Sequence, residues 1–109
     1  MSVIVRARDD ASFRRRYGPW ALITGAAQGL GRAFAEALAR RGLSLLLVDQ
    51  QAQALQDCAA RVAALGPGAV QPIAVDLARE DFYAALAPHV APREIGLWKA
   101  YHRARKYLR

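Results

Sequence analysis

The stretch that decides the fold is Thr24-Gly25-Ala26-Ala27-Gln28-Gly29-Leu30-Gly31. It follows a short apolar run, Trp20 to Thr24, bounded by Pro19 and Gly25, which reads as a buried strand. Behind the glycines, Leu30, Ala33, Phe34, Ala37 and Leu38 recur at helical spacing, and this stripe is expected to face the core. Arg40 and Arg41 suit the dipole of that helix's last turn, and Gly42 is placed to end it. Leu43 to Val48 is then a Leu/Val run, interrupted only by Ser44 and closed by Asp49, as expected of a parallel strand covered on both faces.

Further out the alternation continues. Leu55, Cys58, Val62 and Leu65 mark a second helix, which Gly66-Pro67-Gly68 stops. Ala69 to Val75 reads as a third strand ended by Asp76, and Pro72 within it argues for the edge of a sheet. Arg79 to Ala87 predicts a shorter helix, Pro88 and Pro92 bracket a loop, and Glu94 to Trp98 starts a fourth strand. Strands alternating with helices imply right-handed crossovers. The expected class is α/β, a Rossmann-like parallel sheet with helices on both faces, truncated after about the fourth strand. The organisation reads as an N-terminal arm or short helix over 1–16, a dinucleotide-binding half-domain over 17–97, and a basic C-terminal tail over 98–109. That tail could form a helix with Leu97, Trp98, Tyr101 and Leu108 on one side.

The glycine turn carries the chemistry. Gly25 lets the chain turn sharply out of a strand, Gly29 removes a Cβ where backbone would approach a pyrophosphate, and Gly31 allows close helix packing. The unpaired N–H groups of the following helix would face phosphate oxygens. Asp49 lies 18 residues after Gly31, at the end of the second strand. A carboxylate there accepts hydrogen bonds from an adenosine ribose and repels a 2′-phosphate, favouring NAD over NADP. Gln50 and Gln51 follow it, although Arg32 and Arg41 are candidates to reach the same region. Asp76 is either an adenine contact or a helix N-cap. Packing glycines and capping aspartates are the bland alternatives. The order strand, turn, helix, strand, acid favours nucleotide binding.

These residues resemble the short-chain dehydrogenase/reductase family. Thr24 to Gly31 matches its Thr-Gly-x-x-x-Gly-x-Gly turn, and Leu46-Leu47-Val48-Asp49 and Ala74-Val75-Asp76-Leu77 are similar to its second and third strand ends. Tyr17-Gly18-Pro19-Trp20 and Arg93 to Leu97 extend the likeness over residues 17–97. The resemblance implies that Gly25, Gln28, Gly29, Leu30 and Gly31 line the pyrophosphate, that Asp49 selects NAD, and that Asp76 and Leu77 flank adenine. It then breaks. The family's fourth strand runs into Asn-Asn-Ala-Gly or a close relative, and this sequence has no asparagine. The family's Tyr-x-x-x-Lys pair is also missing. Tyr101 has Arg105 four residues on, Tyr17 and Tyr83 have alanine there, and Ser2, Ser12 and Ser44 all precede the end of the second strand. No catalytic residue is assigned.

The expected function is therefore the NAD(P)-binding fragment of an oxidoreductase of this type, inactive alone. The alternative is a non-catalytic nucleotide-binding or protein-interaction module. A truncated gene, a frame shift or an excised half-domain would each account for the pattern.

Composition narrows the classes. Sixteen Lys and Arg against nine Asp and Glu give a net charge of +7, concentrated at the two ends. End-loaded arginine without zinc spacing or an aromatic RNA-binding pattern argues against nucleic acid as a partner. No apolar run approaches the roughly 20 residues of a membrane span, so no membrane partner is expected. A single cysteine and no secretory signal pattern suit a reducing cytoplasm. Cys58 reads as packing, and His89 and His102 form no metal pattern. An open edge on the first or fourth strand predicts a homo-oligomer.

Overall fold

The computed structural model describes residues 10–100. In chain order the elements are α1 (Asp10–Tyr17), β1 (Trp20–Thr24), α2 (Gly29–Arg40), β2 (Ser44–Asp49), α3 (Ala52–Ala63), β3 (Val70–Ala74), α4 (Phe82–Val90) and β4 (Ile95–Ala100). The four strands form one parallel sheet in the order β3-β2-β1-β4. Pro72 sits on edge strand β3, where its missing N–H interrupts no ladder on the outer side. The other edge is β4; β1, one of the two strands named above as a candidate edge, is interior.

Alternation along β1 and β2 builds two cores. Ala21, Ile23, Leu45 and Leu47 face α1, α2 and α3, whereas Leu22, Leu46 and Val48 face α4. Helices thus cover both faces, as the continuous apolar runs require. The crossovers through α2 and α3 step the sheet one way. The crossover through α4 steps it back, past β1, to β4. That reversal makes the C-terminal ends of β1 and β4 a topological switch point, the position at which open α/β sheets bind their ligands.

Three local expectations are corrected. The buried face of α2 is Gly31, Ala35, Leu38 and Ala39, with Phe34 half-buried, whereas Leu30 is 72% exposed and Ala33 and Ala37 are exposed. Small residues, not the larger apolar ones, let this helix settle close to the backbone beneath it. Helix α4 starts at Phe82 and continues through Pro88, so that proline does not begin a loop. Phe82, Leu86 and Val90, at i, i+4 and i+8, hold the helix on the second core, and Ala91 N–H still bonds to Ala87 O at 2.9 Å. Strand β4 extends to Ala100, with a register shift opposite Trp20 and Ala21, so Leu97 and Trp98 are strand residues and not part of a tail helix. The remainder of that tail lies outside the described residues. The region before β1 ends in a helix, α1, whose Phe13 and Tyr17 pack on the first core.

Candidate functional site

The glycine turn leaves the end of β1 at that switch point. Thr24 to Ala27 are buried, then Gln28, Gly29 and Leu30 emerge into solvent before Gly31 is buried again. Gly29 has φ +62°, a conformation L side chains rarely adopt, and a Cβ there would meet no protein atom within 4 Å. Gly31 is the opposite case. A Cβ there would overlap the Gly25 carbonyl oxygen and lie 3.2 Å from Ala26 Cα, so α2 packs against the turn itself.

The start of α2 is suited to an anion. Its N-cap, Gln28, makes no side-chain capping bond, and its first turn has no acidic residue. The leading N–H groups of a helix have no intrahelical acceptor and carry the positive end of the dipole. Open space, a left-handed glycine and an uncapped helix start are the features that a dinucleotide's pyrophosphate needs.

Asp49 ends β2 directly alongside. It is only 8% exposed, and both carboxylate oxygens accept backbone hydrogen bonds: Oδ2 from Ala27 N–H at 3.1 Å, Oδ1 from Gln51 N–H at 3.0 Å. Each oxygen keeps a further lone pair for a ligand hydroxyl. Val75 N–H bonds to Asp49 O at 3.0 Å, which brings the end of β3 to the same place. Asp76 Oδ1 there accepts from Ala78 N–H at 2.9 Å, closing a turn, and Leu77 packs partly into the second core. Gly25, Gln28, Gly29, Leu30, Gly31, Asp49, Asp76 and Leu77 therefore converge on the C-terminal end of β1, β2 and β3.

The two arginines considered for this region separate. Arg41 caps the far end of α2 and stacks over Phe13 at 4.0 Å, a helix length away from the turn. Arg32 stays near the turn, but Glu36 faces it at 3.9 Å, and Glu36 is engaged more closely by Arg61 at 3.0 Å. Among the described residues no group of three or more His, Cys, Asp or Glu could hold a metal ion.

Two contributors escape sequence reading. Ala27 supplies the N–H that Asp49 binds, and Cys58 of α3 donates its thiol to Ala26 O at 3.2 Å. Burial pushes the Cys58 thiol above its ordinary pKa. Arg32 opposes that shift, Glu36 adds to it, and Arg61 and Asp49 act in the same opposing senses more weakly. A side chain reaching across 32 residues leaves no local pattern in the sequence.

Comparison with known proteins identifies the family. The short chain dehydrogenase family model matches residues 19–98. Mouse 17-beta-hydroxysteroid dehydrogenase type 3 is 37% identical over 87 residues, which are 80% of this chain and 28% of that protein. The chain thus spans less than a third of that relative's length. A short-chain dehydrogenase from Sphingobium yanoikuyae, solved in complex with NADPH, is 39% identical with a TM-score of 0.60, over 65% of this chain and 28% of that one. NAD+-bound xylitol dehydrogenase is 26% identical with a TM-score of 0.64, over 71% of this chain and 30% of that one. With its glycine turn, its acid after the second strand and its strand order all in place, this chain belongs to the short-chain dehydrogenase family and corresponds to that family's N-terminal nucleotide-binding region.

Proposed function

We propose that the chain binds a nicotinamide dinucleotide at the C-terminal ends of β1 and β2, with NAD preferred over NADP, as the cofactor-binding part of an oxidoreductase. The observation that carries this reading is the juxtaposition of the open, uncapped start of α2 with the Asp49 carboxylate. The N–H groups after Gln28 would hold the pyrophosphate, and the free lone pairs of Asp49 would take ribose hydroxyls. Leu30, left exposed beside Gly29, would lie along the bound molecule, and Asp76 and Leu77 would flank its adenine.

The preference for NAD follows from charge. Asp49 is a fixed anion where a 2′-phosphate would sit, and Arg32 faces Glu36 instead of offsetting it. A nicotinamide dinucleotide supplies hydride transfer once bound; these residues bind and orient it. The whole protein's reaction is proposed to be hydride transfer between this cofactor and a hydroxyl or carbonyl substrate. The 109-residue sequence contains no Tyr-x-x-x-Lys pair, so this chain alone should bind without turnover. Self-association through the β4 edge is proposed as well, and light scattering showing a monomer at all concentrations would overturn that part.

Titrating NADH and NADPH against the fluorescence of Trp20 and Trp98 tests the main reading. Saturable binding with NADH tighter is expected. No binding of either would overturn it, and tighter NADPH binding would overturn the preference.

A further inference from the structure

One peptide plane in the glycine turn is held from both sides. The Ala26–Ala27 peptide presents its carbonyl oxygen to the Cys58 thiol at 3.2 Å and its N–H to Asp49 Oδ2 at 3.1 Å. The preceding N–H, of Ala26, is tied to Val48 O at 3.2 Å. All of these groups are buried, Cys58 to 3% and Asp49 to 8% exposure. The next residue, Gln28, is already in solvent. A buried, doubly held plane thus adjoins the open segment that would receive phosphate.

We propose that Asp49 and Cys58 are positioning residues that lock the Ala26–Ala27 peptide, and with it the glycine turn, in its ligand-accepting shape before any nucleotide arrives. This rests on the proposed nucleotide site, and it gives Asp49 a second task besides meeting a ribose. Rotating the plane by half a turn would aim the Ala26 carbonyl oxygen at the Asp49 carboxylate and leave the Cys58 thiol facing an N–H. Both arrangements oppose like partners, so the two side chains select one orientation. The selection depends on acceptor chemistry at Asp49. Its two oxygens face two N–H donors, and an asparagine must turn its own NH2 group towards one of them. At position 58 a hydroxyl can replace the thiol as donor, whereas a methyl group cannot.

Amide hydrogen exchange on the unliganded chain, followed by NMR, is the test. Asp49→Asn and Cys58→Ala are each expected to speed exchange at Ala27 at least tenfold while the β2 amides stay within twofold of the parent. Cys58→Ser should restore most of the protection that Cys58→Ala loses, which a purely space-filling role would not produce. Ala27 exchange within twofold of the parent in Cys58→Ala, or acceleration spread equally over the sheet, would overturn the proposal. Should Asp49→Asn fail to fold, the Cys58→Ala and Cys58→Ser pair still decides. Because no nucleotide is present, failure of the parent to bind NADH would remove the functional reading and leave this result standing.

Discussion

Gly31 lies so close to Gly25 that a single added methyl at residue 31 would overlap the Gly25 carbonyl oxygen. The first turn of α2 and the end of β1 therefore touch backbone to backbone. Gly31→Ala should cost about 3 kcal/mol, since neither α2 nor the strand end can retreat without opening the first core. Urea unfolding would measure it, against a total of roughly 5–15 kcal/mol for a domain of this kind.

Gly29 should respond differently. A Cβ there meets nothing, so Gly29→Ala bears only the left-handed backbone penalty of about 1–2 kcal/mol. Its effect should fall on the ligand, with NADH affinity reduced roughly tenfold or more, equivalent to about 1.4 kcal/mol. Thermal melts and NADH titration of the two glycine variants would separate a fold-breaking methyl from a ligand-blocking one.

Removing the carboxylate tests cofactor choice. Asp49→Ala should weaken NADH by roughly tenfold or more, as expected for losing charge-assisted hydrogen bonds, and narrow the gap between NADH and NADPH. Parallel titrations would show it. An unchanged ratio would mean that the acid does not set the preference.

Cys58 makes stability depend on alkaline pH. Burial raises the thiol's pKa in the folded chain above its ordinary 9.0, so the unfolded chain loses this proton first. The stabilisation is complete below the ordinary value and is lost as pH rises through the folded one. Denaturant melts from pH 7 to 10.5 should fall more steeply for the parent than for Cys58→Ala, whose difference curve removes the tyrosine contribution common to both.

Helix α4 hangs on one fully buried side chain, Leu86. Leu86→Ala should cost about 3 kcal/mol and loosen Phe82 to Val90 before the rest of the sheet. Exchange of the Ala87 and Ala91 amides would report the local opening. If they remain as protected as those of β2, α4 is held by more than the second core.

Much of this protein was legible because local chemistry and period agree. The Leu/Val-rich run Leu43 to Val48 reads as a strand buried on both faces, and β2, Ser44–Asp49, is that strand. Pro72 excluded a central position, and β3 is an edge. The glycine turn was legible because its spacing states its own backbone demands. The face of α2 was not, since size suggested Leu30 and Phe34, while Gly31 and Ala35 won by permitting a closer approach. Pro88 misled for a related reason. A proline weakens a helix locally, yet Phe82, Leu86 and Val90 bind α4 to the sheet more strongly than one missing bond loosens it.

By itself, then, the sequence determined the parallel α/β class, the turn and its acid, because each is a property of neighbouring residues: period, φ and charge. Only the tertiary structure decided that Asp49 grips Ala27, that Cys58 holds the other side of the same peptide, and that Arg41 stands a helix length from the site. Those are relations between residues far apart in the chain. Packing sets them, and no spacing along the backbone encodes them.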